Sequence, residues 1–232
     1  MNLYVGTSGY AYKEWKGTFY PKNLPNSRML RYYGEHFVTV EANSTFRAMP
    51  EPSTVRSWAS EVPAGFKFAI KAPQRITHIK RLKDVGEAVS QLFDIAGVLK
   101  NRLGPVLFQL PPNFKKDAPR LRAFLRLLPP RRRVAFEFRH QSWFDDEVFG
   151  LLRKRRAALC IADAEGDLNV PFVATADWGY LRLRRPVYDA VAMKKWIKQI
   201  RQQRWSDVFV YFKHDDAGNG PAMAKRLLAL GG

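Results

Sequence analysis

Only one cysteine, Cys160, occurs in 232 residues, which excludes an intramolecular disulfide framework. Four histidines and that single thiol show no zinc-finger spacing. Hydrophobic runs all fall far short of the roughly 18 residues that a membrane helix needs. The opening Met1-Asn2-Leu3-Tyr4-Val5-Gly6 has no basic flank followed by an apolar segment, so no secretory signal is expected. No GxGxxG run follows a hydrophobic segment, and Gly6-Thr7-Ser8-Gly9 is too short for a P-loop and lacks its lysine. Acidic residues are scarce as well. The 21 Asp and Glu stand against 39 Lys and Arg, a formal net charge of +18. These absences predict a cytoplasmic protein of a reducing compartment, without a membrane span.

What is present is core material. Hydrophobic residues make up 46% and aromatics 13% of the chain, which rules out disorder for most of it. The length and the lack of an internal linker predict one domain over 1–232. The positive balance favours polyanionic partners, nucleic acid first, because phosphate contacts release counterions. An arginine-rich surface with no such partner gives the same number.

Strand-length hydrophobic runs recur at 3–7, 38–43, 66–71, 106–110, 134–139, 158–163, 180–184 and 208–213. Helical patterns lie between them at about 27–37, 53–62, 85–100, 119–128, 145–156, 190–203 and 221–230. Pro52, Pro119 and Pro221 sit where a helix start tolerates proline, and Gly65 and Gly104 follow helix ends. The stretch 164–179, with Pro171 and Glu165-Gly166-Asp167, reads as an irregular unit rather than a helix. Eight alternating units predict an α/β fold of the TIM type, a closed (β/α)8 barrel. An open doubly wound sheet is the competing architecture.

Alternation within each strand sorts the side chains by face. Thr39, Glu41 and Asn43 oppose Val38 and Val40, and Lys67, Ala69 and Lys71 oppose Phe66, Phe68 and Ile70. Ala135, Glu137 and Arg139, then Tyr180, Arg182 and Arg184, behave likewise. The apolar set should face the helices, so the polar set points into the barrel and gathers at the carboxyl ends, where this fold places active sites. That mouth would hold Glu41, Asn43, Lys71, Gln109, Glu137, Arg139, Asp163, Arg182, Lys213 and His214. Helix N-termini pointing there add positive potential.

An anionic ligand suits this set. The inward charges can instead pair among themselves, Glu41 with Lys71 or Glu137 with Arg139. A divalent metal on Glu41, Glu137, Asp163 and one of His78, His140 or His214 is a further use of the same groups, although no spacing demands it. No cofactor is required by the sequence.

The loop after the first strand carries Tyr10, Tyr12, Trp15, Phe19 and Tyr20 among Lys13, Lys16 and Lys22. Aromatic faces beside cations suit stacking on a base or sugar, and Trp143 after Arg139-His140 has the same character. Packing over the barrel mouth is the competing reading for both. The densest basic runs, Lys100-Asn101-Arg102, Arg131-Arg132-Arg133 and Arg153-Lys154-Arg155-Arg156, precede strands and so belong at the opposite end.

Several of these segments resemble one family. Gly6-Thr7-Ser8-Gly9-Tyr10-Ala11-Tyr12 with Trp15-Lys16-Gly17-Thr18-Phe19-Tyr20-Pro21 is similar to the opening of the YecE-like proteins, domain of unknown function 72. Glu41-Ala42-Asn43-Ser44-Thr45-Phe46, Thr77-His78, Phe108-Gln109-Leu110-Pro111-Pro112 and Phe136-Glu137-Phe138-Arg139-His140 with Ser142-Trp143 resemble its later motifs. The resemblance implies a TIM barrel with these motifs at one mouth, and no particular activity. Arg47, Arg184-Arg185 and Lys213-His214-Asp215 depart from the family's pattern, each adding or shifting positive charge.

Two functions are expected to compete. In the first, the mouth binds, and hydrolyses or isomerises, a phosphorylated or nucleic-acid-derived anion. Glu41 or Glu137 then serves as acid/base, His78 or His140 shuttles a proton, and Lys71, Arg139 and Arg182 clamp charge. Asn43, Gln109, Asp163, Lys213, Tyr10, Trp15 and Trp143 supply further contacts. In the second, the chain is a non-catalytic nucleic-acid binder using its +18 surface. A small-anion sensor without turnover is a third reading.

Overall fold

The structure, a computed structural model, describes residues 1–164, 166, 168–213 and 218–231. Eight parallel strands form the sheet: β1 (Asn2–Thr7), β2 (Thr39–Ala42), β3 (Lys67–Lys71), β4 (Leu103–Gln109), β5 (Val134–Glu137), β6 (Ala158–Asp163), β7 (Trp178–Leu183) and β8 (Asp207–Phe212). Their order is β1-β8-β7-β6-β5-β4-β3-β2. The helices are α1 (Met29–His36), α2 (Pro52–Glu61), α3 (Gly86–Gly97), α4 (Ala118–Leu127), α5 (Asp146–Arg155), α6 (Ala190–Arg201) and α7 (Asn219–Gly231). Each α-helix follows its strand except after β6, where the described part of 164–177 contains no helix. This is the nearly closed TIM-type barrel that the repeat predicts, with its irregular unit in the expected place.

The ring is tightest to explain where β1 meets β2. One parallel bridge, Ser8 to Glu41, joins them, and the Gly9 N–H donates to the Glu41 carbonyl at 2.8 Å. Further down the seam the α1 side chain Tyr33 replaces the missing ladder. Its hydroxyl accepts from the Thr7 N–H at 2.8 Å and donates to the Thr39 carbonyl at 3.2 Å. Gly6 is required here because a Cβ would lie 2.1 Å from the Thr39 carbonyl oxygen.

Two cores result. Val40, Phe68, Ile70, Phe108, Phe136 and Val210 belong to the layer between sheet and helices. Inside the barrel, Ala69, Ala135 and Ala158 leave room for Trp178, Tyr180, Phe209 and Tyr211, so bulky aromatics of β7 and β8 fill the space beside small residues. Gly104, expected after a helix end, instead lies within β4 together with Pro105. The β3–β4 register shifts between Phe68 and Ile70, opposite this Gly-Pro pair.

Candidate ligand site at the carboxyl mouth of the barrel

Above the aromatic plug lies a buried layer of charge. Arg182, near the end of β7, reaches Glu41 of β2 through Nη2 at 2.8 Å and Glu137 of β5 through Nη1 at 2.6 Å. All three side chains are at most 2% exposed. Glu41 also accepts from the Tyr180 hydroxyl at 2.6 Å and the Ser8 hydroxyl at 2.9 Å. Glu137 accepts from Gln109 Nε2 at 2.9 Å and Arg139 Nε at 3.0 Å. A buried ion network persists only where each charge is both paired and hydrogen-bonded, and here each carboxylate has three donors.

The titration of Glu137 follows from its surroundings. Burial alone would raise its carboxyl, but Arg182, Arg139 and the Gln109 hydrogen bond outweigh burial and hold it well below the usual carboxylate range. Burial likewise works against the Arg182 cation, and Glu41 and Glu137 overcome it. Of the two pairings expected by sequence, Glu137 with Arg139 forms. Glu41 does not pair with Lys71; it pairs with Arg182, which the strand-seven alternation puts on the same inner face.

Beyond this floor the cations outnumber the acids. Glu41, Glu137, Arg182 and Arg139 sum to zero. Arg184 is half-buried, Lys213 exposed and Lys71 half-buried, and among the described residues none of the three has an ion-pair partner. Glu137, Arg139, Arg184 and Lys213, with Phe138 and Leu168, line a cleft of about 420 Å³. Burial and the Arg182 charge lower the Arg184 guanidinium from its ordinary value.

Lys71 closes the neighbouring flank. Its ammonium sits 3.9 Å over the Phe46 ring, and burial, then Arg182, lower its pKa to about 8. His78 meets the same ring edge-on at 4.9 Å, with Nδ1 2.9 Å from the Thr77 hydroxyl. Burial, then Lys71 and Arg139, lower its pKa.

Other expected residues stand elsewhere. Asn43 follows β2, and its Oδ1 is buried without a partner. Asp163, ending β6, pairs with Arg185 at 2.8 Å, not with the central cluster. His140 Nδ1 accepts from the Ser142 N–H at 3.1 Å and so caps a short 3-10 turn. Trp143 is fully buried, stacked on Phe138 at 4.7 Å with Nε1 donating to the Phe114 carbonyl. Trp15 is also fully buried, packed on Tyr12, Phe19 and Tyr20. Neither tryptophan face is open to a ligand. Tyr10 is half-buried against Tyr33, and His214 lies outside the described residues.

Three helix N-termini carry acidic caps. Asp117, Asp145 and Asp189 cap α4, α5 and α6, accepting from first-turn N–H groups. Each aspartate occupies one such donor, whereas α1, α2 and α3 have no side-chain cap. Among the described residues no three His, Cys, Asp or Glu side chains group closely enough to hold a metal ion. None of the described helices is long and apolar enough to cross a membrane.

Sequence reasoning overlooked three contributors. Ser8 lies in the first glycine-bounded motif, while Tyr180 and Arg184 flank Arg182 on its inner face. The period-two alternation was the available signal for the last two.

A single parallel barrel with its polar network at the strand carboxyl ends defines a TIM-barrel protein of the α/β class. The chain belongs to the family described as protein of unknown function DUF72, which matches residues 4–232. The Bacillus subtilis UPF0759 protein YunF is 26% identical across 98% of this chain and 94% of its own length. The Escherichia coli K12 UPF0759 protein YecE is 29% identical over 61% of this chain and half of its own. A DUF72 crystal structure from Thermotoga maritima superposes with a TM-score of 0.87 at 26% identity, covering 99% of this chain and 100% of that one. One from Enterococcus faecalis gives 0.82 at 17% identity, covering 99% and 95%.

Proposed function

We propose that the carboxyl mouth binds a small organic anion through a phosphoryl or carboxylate group, and isomerises or hydrolyses it. One observation carries this reading. The cations Arg184 and Lys213 border a cleft of about 420 Å³ above a floor whose own charges already cancel, and Lys71 stands over Phe46 at the end of β3. Arg184 and Lys71 are half-buried and have no ion-pair partner among the described residues, which costs desolvation that a bound anion recovers.

The chemistry divides accordingly. Arg139, Arg184 and Lys213 clamp the anion. Glu41 and Glu137 fix Arg182 and the mouth's geometry, since a carboxyl held ionised as strongly as Glu137 is a poor acid. Proton transfer falls to Lys71 and His78, whose pKa values are both lowered toward neutrality or below.

Titration with inorganic phosphate, followed by calorimetry or amide chemical shifts, tests the reading. Saturable binding is expected, weakened about tenfold or more in Arg184→Ala, the scale of one charge-assisted hydrogen bond. Absent saturation, or equal affinity in the variant, overturns it.

A second reading, a non-catalytic binder of nucleic acid, has its own observation at the other end of the barrel. Lys67, Arg131, Arg132 and Arg133 ring a depression of about 220 Å³ over the stacked Tyr4 and Phe209 rings, 4.6 Å apart. Phosphate backbones suit such a surface.

A further inference from the structure

Lys71 has the surroundings of a reacting amine. It is the last residue of β3, and its backbone is fixed: the Thr45 hydroxyl donates to its carbonyl at 2.7 Å, and the next N–H, of Ala72, donates to Leu107. The carboxylates at the mouth cannot anchor its side chain, because Arg182 holds both Glu41 and Glu137 and Arg139 holds Glu137 again. The ammonium instead rests on the Phe46 face, and His78 meets the same ring edge-on. Amine and imidazole are thus placed on one aromatic spacer. Arg139 lines the anion cleft, and its charge contributes to lowering the pKa of both Lys71 and His78.

Burial, then Arg182, lower the pKa of the Lys71 ammonium to about 8, so about a tenth of the amine is unprotonated at pH 7. Desolvation beside other cations is how proteins activate lysine toward carbonyl groups.

We propose that Lys71 is an amine nucleophile that forms an imine with the carbonyl of an anionic oxo compound, such as an oxo acid or a phosphorylated ketose. This rests on the anion-site reading above and names its substrate class. The unprotonated nitrogen attacks the carbonyl carbon, forming a C–N bond as the π pair moves to oxygen. That oxygen takes a proton, and the nitrogen gives one up, giving a neutral carbinolamine. A second protonation of the hydroxyl expels water, leaving a protonated imine, and hydrolysis reverses each step. His78 moves these protons between nitrogen, oxygen and solvent. The cationic imine withdraws electrons from the adjacent carbon, which is the requirement for isomerising such a substrate.

Reductive trapping tests this. The full chain is incubated with dihydroxyacetone phosphate or pyruvate and cyanoborohydride, then mapped by peptide mass. The expected result is one saturable adduct per chain on Lys71, formed at least tenfold faster than on exposed Lys194 and slowed by inorganic phosphate. Neutral dihydroxyacetone should label Lys71 more slowly. His78→Asn should slow trapping several-fold without moving the adduct, and Lys71→Arg should abolish it. Phosphate binding without enrichment at Lys71 overturns the amine role and leaves the anion site standing. Enrichment that phosphate does not compete supports the amine and overturns the anion cleft as its partner.

Discussion

Arg182 decides the character of this protein at the scale of one residue. It serves two carboxylates from different strands, and neither carboxylate touches bulk water. Arg182→Met would leave Glu41 and Glu137 buried with one guanidinium fewer, which costs about 3–5 kcal/mol. Urea unfolding measures it, and a loss under about 1 kcal/mol would mean the layer does not need its central cation. Lys71 behaves oppositely. Its folded pKa, about 8, lies below the unfolded value near 10.4, so between them the unfolded chain binds more protons and stability rises with pH. Below that window the cost of the buried ammonium is present in full. Lys71→Met should therefore be more stable at pH 7 by about 1–2 kcal/mol after allowing for its partial exposure, with the gain vanishing near pH 10.5. Melting curves at pH 7 and pH 10 check this; an equal gain at both would contradict it. A gain in stability with a loss of trapping is the usual signature of a strained functional group.

Among the elements, the β1–β2 seam is the place where the barrel is completed by a side chain. Tyr33 joins the Thr7 amide to the Thr39 carbonyl from α1, so helix docking and ring closure are one event. Tyr33→Phe keeps the packing and leaves a buried donor and acceptor unpaired, at a cost of about 1–3 kcal/mol. Faster hydrogen exchange of the Thr7 amide should accompany the loss, with the amides of β5 and β6 unaffected. Unchanged protection at Thr7 would show that another group closes the seam. Closure here also sets the site, because Ser8 and Glu41, bridged at the top of the same seam, are two members of the charged layer.

For the whole molecule, the net charge of +18 includes cations at both ends of the barrel. At the carboxyl end Arg184 and Lys71 are half-buried, and Arg184 and Lys213 line a cleft. At the amino end, Arg131, Arg132, Arg153 and Lys154 are exposed, and among the described residues only Arg133 of the neighbouring arginines has a carboxylate partner, Asp207. If that end binds nucleic acid, affinity for a duplex falls steeply between 50 and 200 mM salt, roughly tenfold or more for a few phosphate contacts. Charge-neutral replacement of Arg131, Arg132, Arg153 and Lys154 should flatten the slope, while Arg184→Ala should not. Salt-insensitive binding, or none, removes the polyanion reading and leaves the mouth as the functional end.

Much of this was legible in the residue pattern. The repeat of about 29 residues per unit, the proline and glycine punctuation and the strand alternation specify eight β/α units and an inward Glu41, Glu137 and Arg182, because strand period and helix period are local properties of a sequence. The lack of a helix in the described part of the connection after β6 was equally plain from Pro171 and the polar Glu165-Gly166-Asp167. Partner choice was not. Whether Glu41 meets Lys71 or Arg182 depends on barrel stagger, and whether Trp15, Trp143 and His140 face a ligand or the protein depends on how loops fold over the rim. Those are distances between segments remote in the chain, fixed by closure and packing rather than by any neighbouring residue, so only the tertiary structure decided them.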